Sequence, residues 1–254
     1  MSTNHAGQLP ERAAALELQP ADILLVHTKN SFWGRLIRWG THCYWNHALL
    51  VYSAADPEQG KESPLVIDAK TSGNIALGRA DYYLEQLHKY DLGVRRFDVD
   101  WFQQESVTGE GDIRGRICNL AANEVEFKLG SRLGEMADQL FRQATLILRF
   151  LRRRLFGPKP PPQLPWNLRL IDFKAFTCGG FVQWCYYKAV TQVIKEQGLD
   201  KSKLRDVLFN SKVGDKATPF ELLTTTPADL ANCRQLSWKY IIKDGRLAEC
   251  SGQH

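Results

Sequence analysis

The stretch Phe176–Ala189, FTCGGFVQWCYYKA, combines a helical pattern with an unusual first turn. Its apolar residues recur at helical spacing and predict a buried helix. Gly179 and Gly180 would lie in the first turn, where each glycine costs about 1 kcal/mol relative to alanine. A helix that only had to fold would not favour this pair. The sequence therefore predicts that the backbone beside Cys178 is kept open for a substrate.

Cys178 itself admits two interpretations. At a helix N-terminus the macrodipole favours its thiolate, and the N–H groups of Cys178 and Gly179 could bind an oxyanion. In the other interpretation Cys178 begins an apolar stripe with Val182 and Cys185, since free cysteine is among the most buried residue types. The stretch alone leaves both interpretations open, and the rest of the chain has to decide between them.

The composition excludes several classes of protein. With 254 residues, 44% hydrophobic and 24% charged, the chain is an ordinary globular protein, and we predict a single domain over residues 1–254. A net charge of +5 is too weak to indicate a nucleic-acid partner.

The cysteines and the N-terminus indicate where the protein acts. Six cysteines are scattered without CxxC pairs, which disfavours a zinc site and favours reduced thiols. We expect no metal and no cofactor. Neither a secretory leader nor an apolar run of about 18 residues is visible, so a cytoplasmic protein is expected.

A predicted hairpin brings a histidine close to a carboxylate. Asn46–Tyr52 and Pro64–Asp68 read as strands separated by the turn residues 56–60. A loop centred near residue 58 sets His47 opposite, or nearly opposite, Asp68, and opposed Cβ atoms lie about 4.5–5.5 Å apart. The carboxylate could then orient the imidazole, whereas a slip of one residue would separate the two faces. The alternative is a histidine at a strand end bonded to a neighbouring carbonyl.

The remaining pattern is a mixture of strands and helices. A turn followed by an apolar strand is predicted within 19–26 and another strand at 93–99, with a closing hairpin at 236–247 whose turn is 243–246. Further helices are predicted at 33–39, 81–88, 117–129, 200–210 and 226–230.

Residues 132–156 predict a basic amphipathic helix, followed by a polyproline spacer over 157–165. Arg142, Arg149, Arg152 and Arg153 lie opposite a broad apolar sector. One interpretation is a helix on an anionic membrane surface, which would make the protein peripheral on a membrane. The other is a helix packed on its own domain with a solvated basic face.

Five segments together resemble a known family: Pro20–Val26, Arg35–Trp39, Trp45–Val51, Val66–Ala69 and Thr177–Val182. They are similar to the circularly permuted branch of the NlpC/P60 papain-like superfamily. Within it they look most like the YiiX/YebB-like group, which is related to lecithin:retinol acyltransferase-like proteins. The resemblance implies an α+β fold in which an antiparallel sheet or barrel packs against the cysteine-bearing helix. Residues 132–165 would be an insertion.

The resemblance also implies roles for individual residues. Cys178 takes the position of the nucleophile, His47 that of the base, and Asp68 that of the polar third residue, where this branch often has Glu. Gly179-Gly180 departs from the commoner Ser-Glu and puts the oxyanion surroundings and substrate choice in question.

The implied activity is a cysteine hydrolase or acyltransferase acting on an amide, ester or thioester of a small-molecule, lipid or peptide substrate. One alternative is an amidase or peptidase acting on cell-wall-type or small peptides. The other is a non-catalytic, membrane-associated interaction module.

Overall fold

The computed structural model describes residues 16–56, 58, 60, 63–69, 75–103, 112–125, 177–210 and 222–250. Its strands are β1 (Ile23–Thr28), β2 (His47–Ser53), β3 (Leu65–Ala69), β4 (Ile75–Arg79), β5 (Tyr90–Phe97), β6 (Leu236–Lys243) and β7 (Arg246–Glu249). The helices are α1 (Phe32–Thr41), α2 (Asp81–Leu84), α3 (Ile113–Asn123), α4 (Cys178–Gln197), α5 (Lys203–Asp206) and α6 (Pro227–Asn232).

The seven strands form one antiparallel sheet in the order β4-β3-β2-β1-β5-β6-β7. The prediction of an α+β protein with an antiparallel sheet is therefore confirmed. The sheet is open, with β4 and β7 at its edges, so the barrel that was named as an alternative is not formed by the described strands.

Helices cover both faces of the sheet, which explains why β1 is continuously apolar from Ile23 to Val26 rather than alternating. Ile23 and Leu25 point into the core shared with α3 and α4. Leu24 and Val26 point into a second core, on the side of α2. All four side chains are at most 1% exposed.

The predicted helix at the cysteine is confirmed as α4, with Cys178 as its first residue. Thr177 is the N-cap, and its side chain accepts a hydrogen bond from the N–H of Gly180. Gly198 caps the C-terminal end of the helix after Gln197, and its left-handed backbone (φ 69°) is the conformation that glycine often adopts at helix ends. Since its apolar side lies in the core, α4 fixes where Cys178 meets the sheet.

Other predictions need correction. The helix predicted over 117–129 begins earlier, because Asp112 caps the N-terminus of α3, and it ends at Asn123. The helix predicted over 81–88 stops at Leu84, where turns lead the chain into β5. In 200–210 only α5 is helical, and strand β4 was not predicted.

The C-terminal predictions hold. Helix α6 begins with Pro227 and carries a capping box between Thr226 and Asp229. The closing hairpin turns at Asp244 and Gly245, both with positive φ, as a two-residue hairpin loop requires.

The basic helix predicted over 132–156 and the proline spacer lie outside the described residues, as do Arg142, Arg149, Arg152 and Arg153. Within the described ranges, no helix is both long enough and apolar enough to cross a bilayer.

Candidate active site

The three residues predicted as catalytic meet at one end of the sheet. Cys178 opens α4, His47 opens β2, and Asp68 lies near the end of β3. The imidazole of His47 lies beside the Cys178 sulfur, close enough for each group to shift the pKa of the other. On its other side Nε2 donates to Asp68 Oδ1 at 2.7 Å. Because Nε2 is engaged by the carboxylate, Nδ1 is the nitrogen left to face the sulfur.

The register of the β2–β3 hairpin differs from the predicted one. Leu50 pairs with Ile67 and Val51 with Val66, followed by a bulge before Ser53. The prediction set His47 opposite or nearly opposite Asp68, whereas this register places the two residues two positions away from direct opposition. The difference from exact opposition is two residues, and side chains alternate between faces, so both residues still share one face. Diagonal neighbours remain within reach of a long side chain, which accounts for the observed hydrogen bond.

The site favours a thiolate–imidazolium pair. Burial opposes ionisation of Cys178, but the positive charge and hydrogen bond of His47 outweigh it and lower the pKa of the thiol below its ordinary value. Burial likewise opposes a charged His47, but the Cys178 thiolate and the hydrogen bond to Asp68 raise the pKa of the imidazole to about 10. Because each charge stabilises the other, the two groups titrate as a coupled pair.

Four other cysteines have thiols that are harder to ionise than an ordinary thiol. Burial raises the pKa of each thiol, for Cys43, Cys118, Cys185 and Cys233. Of the five, Cys178 is thus the one whose pKa is lowered and whose thiolate is favoured, which is the property that distinguishes a nucleophile from a core cysteine. Its side chain is half-buried rather than enclosed.

The N-terminus of α4 offers donors beside the sulfur. The N–H of Gly180 donates to the Thr177 hydroxyl at 2.9 Å and that of Phe181 to the Thr177 carbonyl at 2.9 Å. Within the described part of the chain, no hydrogen bond from the N–H groups of Cys178 or Gly179 is seen. These two are the first N–H groups of the helix, where no intrahelical acceptor exists.

The glycine pair has a different role from the one predicted. A Cβ on Gly180 would lie 2.1 Å from the carbonyl oxygen of Leu223, and one on Gly179 would lie 2.7 Å from that of Thr225. The Thr177 hydroxyl lies 3.0 and 2.8 Å from the same two oxygens. The space beside both glycines is therefore filled by residues 223–226 rather than kept open for a substrate.

Two contributions to the site were not found from the sequence. One is the segment 223–226 that packs on the start of α4; the glycine pair was its only signal, and it was interpreted otherwise. The other is Tyr83, whose hydroxyl lies 3.3 Å from Asp68 Oδ2. Nothing in the spacing of Tyr83 and Asp68 pointed to this contact.

No group of three or more His, Cys, Asp or Glu side chains is arranged to hold a metal ion among the described residues.

Comparison with family models and with curated proteins finds no match for this chain.

Proposed function

We propose that this protein is a cysteine hydrolase or acyltransferase that attacks the acyl carbon of an amide, ester or thioester. The observation that carries the proposal is that His47 is hydrogen-bonded to Asp68 and lies beside the Cys178 sulfur, where it lowers the pKa of the thiol. A histidine placed between a thiol and a carboxylate is the arrangement that activates a cysteine nucleophile.

In the first half of the proposed reaction, the Cys178 thiolate attacks the acyl carbon and forms a carbon–sulfur bond. The carbonyl electron pair moves to oxygen, and the N–H groups of Cys178 and Gly179 stabilise the resulting oxyanion. When the intermediate collapses, the bond to the leaving group breaks and His47 gives that group its proton. The product is a thioester on Cys178 with a neutral imidazole beside it.

In the second half, water or another acceptor attacks the thioester. His47 removes the proton of the attacking group, the carbon–sulfur bond breaks, and the thiolate–imidazolium pair is restored. Asp68 holds the imidazole in orientation throughout and stabilises its charged form. Whether water or another nucleophile enters decides between a hydrolase and a transferase.

The fold supports a more specific proposal, that the chain is a circularly permuted papain-like protein of the NlpC/P60 kind. The histidine strand precedes the cysteine helix in the chain, and the helix packs on an antiparallel sheet. The aspartate comes from the strand paired with the histidine strand. These features agree with the permuted branch that the sequence resembles.

The ionisation of Cys178 argues against a purely structural, non-catalytic module. A fold kept only for binding gains nothing from a partly exposed cysteine whose thiolate is stabilised by a histidine. A lipid or lipidated substrate at an anionic membrane surface remains the prediction drawn from residues 132–156. Peptide amides are the alternative substrate class.

The test uses the full chain and a panel of activated acyl compounds, namely p-nitrophenyl esters, acyl thioesters and aminoacyl p-nitroanilides of increasing chain length. We expect a covalent acyl adduct on Cys178, detected by mass spectrometry after acid quench, and its absence in Cys178→Ala. His47→Ala should abolish adduct formation while the circular dichroism spectrum is unchanged. No adduct with any member of the panel, together with alkylation of Cys178 no faster than that of Cys43, would overturn the proposal.

A further inference from the structure

We infer that Tyr83 is a positioning residue for the proposed reaction, which holds the Asp68 carboxylate in the orientation that serves His47. The inference rests on the proposed function and adds a fourth residue to its Cys178–His47–Asp68 set. Tyr83 does not touch the reacting atoms, so its action would pass through the carboxylate.

The two oxygens of Asp68 have different partners. Oδ1 accepts from Nε2 of His47 at 2.7 Å, and the Tyr83 hydroxyl donates to Oδ2 at 3.3 Å. A carboxylate held at one oxygen can rotate about its Cβ–Cγ bond, whereas donors at both oxygens fix its plane. Because the imidazole follows the carboxylate, the plane of Asp68 also sets the direction in which Nδ1 of His47 points.

Asp68 needs a second donor because of where it lies. It is 9% exposed, on the sheet face that carries the apolar core of Leu49 and Val66. A charged group in such surroundings is costly unless each oxygen is hydrogen-bonded. Tyr83 is the residue of α2 that reaches it, and Leu84, the next residue, is 4% exposed and anchors the helix in the same core.

The Tyr83 ring is held in place by other aromatic rings. It packs edge-on against Tyr82 and against Tyr90, with ring centroids 5.2 Å apart in both pairs. Such pairs have a preferred geometry and add to the energy of simple burial. Burial and the neighbouring charge of Asp68 also raise the pKa of the Tyr83 hydroxyl, so it stays protonated and able to donate.

The size of the expected effect follows from the surroundings. A groove of about 500 Å³ borders Asp68 and Tyr83, so water can enter when the hydroxyl is removed and can replace part of the lost hydrogen bond. The contact is also longer than the usual 2.7–2.8 Å for two oxygens. We therefore expect a modest loss rather than the large loss that removal of a catalytic residue causes.

The experiment compares Tyr83→Phe with Tyr82→Phe in the full chain. Tyr82 packs against the same ring but its side chain is 55% exposed and makes no contact with Asp68 among those seen in the described residues. For Tyr83→Phe we expect kcat on the best acyl ester of the panel to fall about 3- to 15-fold, the effect of one ordinary hydrogen bond. KM should stay within about twofold of the wild-type value. The pH profile of Cys178 alkylation should shift to higher pH. Tyr82→Phe should match wild type in all three readouts.

A double variant separates positioning from a merely structural role. If Tyr83 acts through the carboxylate, Tyr83→Phe should add nothing to the kinetic loss of Asp68→Asn, because the group that it orients is already impaired. If Tyr83 only supports the fold, the two losses should multiply and the melting temperature should fall with them. Multiplied losses, or a Tyr83→Phe variant whose kcat and pH profile equal those of wild type, would overturn the inference. Failure of the proposed function is distinguishable, since wild-type Cys178 would then show neither fast alkylation nor an acyl adduct.

Discussion

The two glycines at the start of α4 provide a test of how the site is assembled. Gly180 is the third residue of α4, and its N–H donates to the capping side chain of Thr177. Gly115 holds the same position in α3, where its N–H donates to the capping side chain of Asp112. Replacing either glycine by alanine therefore adds one methyl group at the same position of a helix.

The surroundings of the two methyl groups differ greatly. At Gly180 the new Cβ would lie 2.1 Å from the Leu223 carbonyl oxygen and 2.6 Å from its carbon. Backbone atoms cannot move aside as a side chain can, and overpacking of this kind costs about 1–3 kcal/mol, occasionally more. The gain of about 1 kcal/mol from replacing glycine within a helix offsets part of it. Because this overlap is severe, we expect a net loss of about 2 kcal/mol.

At Gly115 the nearest atom would be a carboxylate oxygen of Asp112 at 3.1 Å, at the end of a side chain that can adjust. We therefore expect Gly115→Ala to be neutral or to stabilise by up to about 1 kcal/mol. For a chain of this size 1 kcal/mol moves the melting temperature by about 2–4 °C. Gly180→Ala should thus melt about 4–8 °C below wild type, and Gly115→Ala at or slightly above it.

The assay is thermal unfolding followed by circular dichroism, with Cys178 alkylation measured on the same samples below the transition. Displacement of residues 223–226 should also disturb the start of α4, so the alkylation rate of Gly180→Ala should fall. If Gly180→Ala is as stable as Gly115→Ala but raises KM for acyl substrates, the packing argument is refuted. The glycines would then serve to leave room for a substrate, as the sequence had suggested.

Three further predictions concern the chemistry of the site and the basic segment over residues 132–156. The profile of kcat/KM against pH should be bell-shaped. Activity should rise below the ordinary thiol pKa of 9.0, as Cys178 ionises, and fall near pH 10, as the imidazole loses its proton. A single rise centred at pH 9 would contradict the ion pair. Asp68→Asn should lower kcat by about 10²- to 10⁴-fold without loss of fold; an unchanged kcat would assign the orienting role to another residue. Replacing Arg149, Arg152 and Arg153 with Gln should weaken binding to anionic liposomes, since each basic residue adds about 1 kcal/mol of binding free energy at such a surface. Binding that is equal in wild type and variant, or absent from both, would contradict the membrane interpretation and favour water-soluble amides as substrates.

The sequence alone was sufficient for the parts of the structure that depend on local periodicity. The apolar runs identified β1, β2 and β3, and the spacing after Cys178 identified α4. His47 and Asp68 could be paired because residues an even number of positions apart along a strand share a face, and that conclusion survives a register change of two. Cys178 could be proposed as a nucleophile because a helix start favours a thiolate whatever the rest of the fold is.

The remaining features depend on contacts between segments that are distant in the chain, and no local pattern encodes them. The bulge after Val51 decides the register of the hairpin. The backbone of residues 223–226 leaves no space for a side chain at Gly180. The packing of α2 against the sheet brings Tyr83 into contact with Asp68. The ionisation of Cys178 belongs to this group as well. A thiolate at this half-buried position is stable because the fold brings a histidine from β2 to a helix that begins 131 residues later (178 − 47), and that charge pairing exists only in the folded chain.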